Sequence, residues 1–246
     1  MKTIGLLGGM SWESTVTYYT RINEIMNQKL GGLHSAKIKL ASVDFEEIEN
    51  YQAANEWEKS GAVLGKEAQQ LEQAGADFLL ICTNTMHKVA PQIAEYLTIP
   101  ILHIADATIA ELQVQQIKKV ALLGTKYTMT QAFYKQKIID SGIDVWIPNE
   151  ATVETVNQII FAELCHGKIL TESKEKFIEV IEEAIEAGAE GVILGCTEIG
   201  LLIQQADVAI PVFDTTEIHS RKSRRTSLGR IDEDCDENDS FCSSDF

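Results

Sequence analysis

Four short landmarks occur twice, in the same order, along this chain of 246 residues. Leu-Leu-Gly ends at Gly8 and again at Gly124. Ala-Gly-Ala is centred on Gly75 and Gly188, Cys-Thr begins at Cys82 and Cys196, and Ile-Pro reaches Pro100 and Pro211. The separations are 116, 113, 114 and 111 residues. Spacing this nearly constant marks an internal duplication, so the chain must be read as two like units. Within each unit, apolar runs alternate with amphipathic stretches closed by glycine. That is the pattern of parallel strands joined by crossover helices. The expected fold class is α/β: two pseudo-symmetric parallel-sheet α/β domains with the active site in the cleft between them. The halves are expected at 1–105 and 106–219, with 206–219 able to cross back onto the first.

Strands are predicted at 3–7, 37–43, 77–81, 99–104, 118–124, 143–147, 190–194 and 210–216. Helices are predicted at 14–30, 60–74, 88–97, 107–116, 130–141, 151–166 and 172–187. In the first helix, Val16, Tyr19, Ile22, Ile25, Met26 and Leu30 share one stripe. Gly8 and Gly9 form a turn through which backbone amides can approach a ligand. It lacks the Gly-x-Gly-x-x-Gly order of a dinucleotide site. After Ser220 the chain turns basic, then acidic and serine-rich, with no apolar period. Residues 220–246 are therefore expected to be a disordered or non-native tail.

The net charge of −16 makes nucleic acid and anionic membranes poor partners. From residue 221 on, the chain holds five basic and seven acidic residues, so the body is acidic too. No apolar run reaches the roughly 18 residues of a spanning helix, and the N-terminus opens as a strand, which points to a cytoplasmic protein. The five cysteines (Cys82, Cys165, Cys196, Cys235 and Cys242) show no metal-type spacing, and no metal site is expected. Cys165, in an apolar setting, reads as a small buried hydrophobe.

Both Cys-Thr elements lie at carboxyl ends of strands, where open α/β sheets bind ligands. If the halves face each other, Cys82 and Cys196 meet across one cleft. Two thiols on opposite faces of a carbon suit two-base proton transfer: one takes a proton, the other returns one, and the centre inverts. Helix-starting turns after each cysteine would lower the thiol pKa from about 8.5 toward neutrality.

The stretches Ile4 to Ser11, Cys82 to His87 and Gly195 to Glu198 together resemble the aspartate/glutamate racemase family. The similarity is greatest to its bacterial broad-specificity amino-acid racemase branch and covers about 1–219. The resemblance implies a small-molecule amino-acid substrate, no pyridoxal phosphate or other cofactor, and a homodimer. It implies Cys82 and Cys196 as the catalytic pair, with substrate contacts at Met10, Gln52, Thr83, Asn84, Thr85, Lys168 and Thr197. Two departures stand out. Family members that act on aspartate often carry an arginine in the loop after the second strand, but residues 44–52 have none, and Arg21 is the only arginine before Arg221. This favours a broader or different side-chain preference. Family members also close with a helix, where a polar tail is expected here. Related readings are a hydantoin racemase, a dicarboxylate isomerase or lyase, or a two-domain binding protein without chemistry. His87, His103 and His219 stand near strand ends, and Glu198 reads either as a helix cap or as an orienting group for a thiol.

Overall fold

A computed structural model describes residues 1–229. The elements run β1 (Ile4–Gly8), α1 (Trp12–Leu30), β2 (Ile38–Ser42), α2 (Phe45–Ala53), α3 (Trp57–Gln73), β3 (Phe78–Ile81), α4 (Ala90–Ala94) and α5 (Ile104–Val114). The second series is β4 (Lys119–Gly124), α6 (Lys126–Thr130), α7 (Ala132–Asp140), β5 (Asp144–Trp146), α8 (Glu150–Ala162), α9 (Thr171–Glu186), β6 (Gly191–Gly195), α10 (Ile199–Leu202), β7 (Val212–Asp214) and α11 (Thr215–Leu228). Two parallel sheets result, ordered β2-β1-β3 and β5-β4-β6-β7. The duplication appears as matched registers: Leu7 pairs with Ile81 in one sheet, Leu123 with Leu194 in the other. The predicted strand at 99–104 survives only as a bridge between Leu79 and Ile101, and α5 already begins at Ile104.

Side chains alternate across a strand, so each central strand feeds two cores. In the first half, Leu7, Leu79 and Ile81 pack with Leu64 and Ala68 of α3. On the other face Ile4, Leu6, Phe78, Leu80 and Cys82 pack with Tyr18 and Ile22 of α1. The buried stripe of α1 is Tyr18, Ile22, Ile25 and Met26. Val16 and Tyr19, expected on that stripe, are 53% and 51% exposed, and with Trp12 they form an apolar line on the surface.

The chain does not become a tail at 220. Asp214 caps α11 by accepting from the Thr216 and Glu217 amides, and the helix continues to Leu228. Its buried residues are Thr215, Thr216, Ile218, His219, Ser220, Ser223, Ser227 and Leu228. Only two of these eight are apolar, which is why no apolar period was visible. α11 packs on α1 and α5. The Arg21 guanidinium pairs with Glu217, and the Ser227 carbonyl accepts the Lys2 amide at 2.8 Å. The crossing back thus comes with α11, while β7 stays in the second sheet. The rest of the expected tail, 230–246, lies outside the described residues.

Candidate active site

A narrow cleft lies between the halves. The first half lines it with Met10 and Ser11 after β1, Phe45 and Gln52 of α2, and the turn Thr83 to Met86 after β3. The second contributes Thr125, Ile160, Phe161, Cys165 and the turn Gly195 to Glu198 after β6. Hydrogen bonds close the rim. Asn84 Nδ2 donates to Thr215 Oγ1 at 3.0 Å, and the hydroxyls of Thr85 and Thr125 meet at 3.1 Å. Ser14 spends its proton on the Cys82 carbonyl at 2.7 Å, so the Thr197 hydroxyl donates to Ser14 Oγ at 2.8 Å.

Of the two cysteines, Cys196 lines the cleft and Cys82 does not. Cys82 continues the alternation of Phe78 and Leu80, is 0% exposed, and belongs to the apolar cluster around Tyr18. The residue that reaches the cleft from this strand end is Thr83. The two thiols therefore do not face each other across the cleft: one half brings the Cys196 thiol to it and the other brings Thr83. The expected fall in thiol pKa is also overturned. Burial pushes Cys82 up, and burial together with the Glu198 charge pushes Cys196 well up. Desolvation of a thiolate outweighs what the short turns supply.

Cys196 is not left without an acceptor. Its Sγ donates to Glu198 Oε2 at 3.0 Å, and Ser11 Oγ donates to Glu198 Oε1 at 2.7 Å. Glu198 is 4% exposed and comes from the same turn as the thiol, while Ser11 comes from the other half. A carboxylate beside a thiol is a proton acceptor at hydrogen-bond range, the geometry of an activated nucleophile or base.

Met10, Gln52, Thr83, Asn84, Thr85 and Thr197 line the cleft. Lys168 does not: it follows Gly167 in a left-handed turn, and its side chain is exposed. The Gly9 turn does not face the cleft either. Its amide is held by Thr15 Oγ1 at 2.8 Å, and its φ of +90° brings it against the Val43 backbone. Cys165, expected to be plain core, is only partly buried and shares the cleft wall with Cys196. Its thiol is pushed up to about 12 by burial and the charges of Glu198 and Glu13. Phe45, Ile160 and Phe161 gave no signal in sequence, since apolar residues at helix positions read as core.

Behind the Thr83 turn sits a histidine cluster. His87 Nδ1 donates to the Thr83 carbonyl at 2.8 Å, and its Nε2 accepts the Ile104 amide at 3.2 Å. His219 Nε2 donates to the Leu102 carbonyl, so its Nδ1 accepts from the Tyr18 hydroxyl at 2.9 Å. The rings of His87 and His103 are 4.5 Å apart. Burial holds all three neutral: His103 and His219 fall to about 3, and His87 well below its usual value. The unfolded histidines take protons from about pH 6.5 downward while the folded ones do not. Stability is therefore expected to fall as pH drops from about 6.5 toward 3, by up to about 1.4 kcal/mol per pH unit for each histidine, with no such slope above 6.5. Urea unfolding at pH 7.5, 6 and 5 measures it, and His219→Gln should flatten the lower part. An unchanged slope in that variant would remove His219 from the account.

The sequence model of the family described as Asp/Glu/hydantoin racemase matches residues 7–222. This chain belongs to that family. It is 26% identical over 234 residues to the broad specificity amino-acid racemase RacX of Bacillus subtilis, covering 92% of this chain and 98% of RacX. Among solved structures, a Yersinia pestis protein provisionally given as an Asp/Glu racemase superposes with a TM-score of 0.87 at 48% identity, covering 93% of this chain and all of that one. An aspartate racemase homologue from Pyrococcus horikoshii superposes at 0.82 and 38% identity, over 92% and 99%. Family membership accounts for the duplicated α/β halves and the cleft between them.

Proposed function

We propose that this family member is an amino-acid racemase with an unequal catalytic pair, Cys196 and Thr83. The observation that carries it is the Cys196 thiol, 3.0 Å from the buried Glu198 carboxylate, in a cleft to which the other half brings Thr83. Glu198 takes the thiol proton, and the Cys196 thiolate removes the α-proton from one face of the substrate. The backbone amides of the Thr83-Asn84-Thr85 turn and of Thr197 hold the carboxylate as it becomes enolate-like. The opposite face is reprotonated from the Thr83 hydroxyl, which is refilled from water, while Glu198 releases the proton it took to water, so that no net proton is gained or lost. An alcohol can give a proton to a carbanion, but it is so much weaker an acid than a thiol that it is almost never ionised at neutral pH and serves poorly as the base that removes one.

Enantiomers have equal free energies, so kcat/KM must match in the two directions. The inequality of the pair shows in isotope exchange. In D₂O without added cofactor, the enantiomer served by Cys196 is expected to exchange its α-proton faster than it inverts. The other exchanges only as it inverts. Proton NMR with chiral separation reads both. Equal exchange from both enantiomers would restore a symmetric pair, and exchange with hydantoins alone would move the substrate class.

Among the described residues no helix is long and apolar enough to cross a membrane. The cytoplasmic location and the homodimer belong to the same proposal. The exposed line of Trp12, Val16 and Tyr19 on α1 supports a second copy, and light scattering in the same D₂O samples should read two chains of 27.3 kDa.

A further inference from the structure

His87 does not line the cleft, yet it is buried directly behind the turn that does. Its two ring nitrogens have different partners. Nδ1 donates to the Thr83 carbonyl at 2.8 Å, and Nε2 accepts the Ile104 amide at 3.2 Å. A carbonyl only accepts and an amide only donates, so both bonds require one neutral tautomer. The ring thus ties the turn after β3 to the first residue of α5. That end of the tie is itself anchored. His103 caps α5 by accepting the Ala105 amide at 3.2 Å, and His219 of α11 holds the Leu102 carbonyl at 2.7 Å.

The peptide units on either side of Thr83 are each held by one bond. Ser14 donates to the Cys82 carbonyl at 2.7 Å, and His87 donates to the Thr83 carbonyl. A peptide unit is planar, so fixing the direction of its carbonyl fixes the whole plane. Two fixed planes set φ and ψ of Thr83 and hence the direction of its Cα–Cβ bond, which leaves the side chain only χ1 to turn. Resting on the racemase reading above, we propose that His87 is a positioning residue: locked between the Thr83 carbonyl and the Ile104 amide, it sets the direction from which the Thr83 hydroxyl meets the substrate. Without the ring, one of the two planes is released. Cys196, paired with Glu198 on the other half, is untouched. A misplacement of about 1 Å costs on the order of 10²-fold in rate, and here it falls on one face of the substrate only.

The full chain and three variants are assayed in D₂O with the D- and L-forms of aspartate, glutamate and homoserine. NMR reads α-proton exchange and chiral separation reads inversion. His87→Leu removes both bonds and is expected to lower inversion at least about 30-fold, while exchange of the enantiomer served by Cys196 stays within about threefold. The ratio of exchange to inversion then rises at least about tenfold. A smaller folded fraction scales both rates alike and cannot move that ratio. His87→Gln keeps a donor and an acceptor at the end of the side chain, and its ratio should stay within about threefold of wild type. Ile104→Pro cuts the Nε2 bond with His87 in place. Ile104 is the first helical residue after the His103 cap, where a proline fits, and the core packing it loses does not enter the ratio. It should raise the ratio about threefold or more, and it decides if His87→Leu does not fold. Both rates lowered together, with the ratio unchanged, would overturn the positioning role and leave the racemase reading standing. No exchange by the wild type with any of these amino acids would overturn the racemase reading and this one with it.

Discussion

Replacing Cys196 with alanine is expected to lower kcat about 10³-fold or more, while Cys82→Ala leaves it within about threefold. The difference follows from where the two thiols point. Cys196 stands on the cleft wall with its proton directed at Glu198. Losing it removes the group that takes the α-proton, a step worth about 10²–10⁴-fold when a positioned side chain performs it. Cys82 is sealed among Ile4, Leu6, Tyr18, Ile22, Phe78 and Leu80. Its removal leaves a small cavity beside Tyr18 and costs about 1–2 kcal/mol of stability, visible in urea unfolding. The two variants therefore separate by assay: one folds normally and does not exchange α-protons, the other exchanges them and melts earlier. A folded Cys82→Ala protein with no exchange would return Cys82 to the chemistry and overturn the pairing proposed here.

Glu198→Gln is expected to lower kcat about 100-fold and to make the remaining activity climb with pH through the alkaline range. Two effects oppose each other in this variant. The carboxylate raises the Cys196 pKa by its charge, so its neutralisation eases thiolate formation, each pKa unit being tenfold in thiolate. Yet burial is the larger cause of that raised pKa, and burial stays. The thiol therefore remains mostly protonated at neutral pH and has lost its acceptor, so the loss wins. A Glu198 that acts only by its charge predicts the opposite sign, with higher activity at pH 7 in the glutamine variant. The direction of the change in kcat thus decides the role of this residue.

The two halves and their parallel sheets were legible because glycine-closed helices and buried strands recur at one spacing. The identity of the cleft residue after β3 was misread by one position, and the physical reason is the two-residue period of a strand. A shift of one moves a side chain from one face to the other. A sharper signal was present. The Ala-Gly-Ala turns at Gly75 and Gly188 precede these strands, and at their separation of 113 residues the counterpart of Cys196 is Thr83, not Cys82. The paired registers agree, since Ile81 and Leu194, equivalent in the two sheets, are also 113 apart. α11 was lost for another reason: Ser220, Ser223 and Ser227 bury a helix face without raising its hydropathy. Glu198 could be named but not assigned, because its partner Ser11 lies 187 positions away and no local pattern links them. Lys168 shows the reverse failure, a suitable charge at a suitable place in the chain that the Gly167 turn sends into solvent.

The rim of the cleft is fastened by hydroxyls and one amide: Ser11 to Glu198, Thr197 to Ser14, Asn84 to Thr215 and Thr85 to Thr125. Unfastening it exchanges each of these for a bond to water, at about 0.5–1.5 kcal/mol apiece. One of the four, from Ser11, ties Glu198, which faces the Cys196 thiol, to the opposite half, so the proton acceptor is complete only while the two halves stay joined.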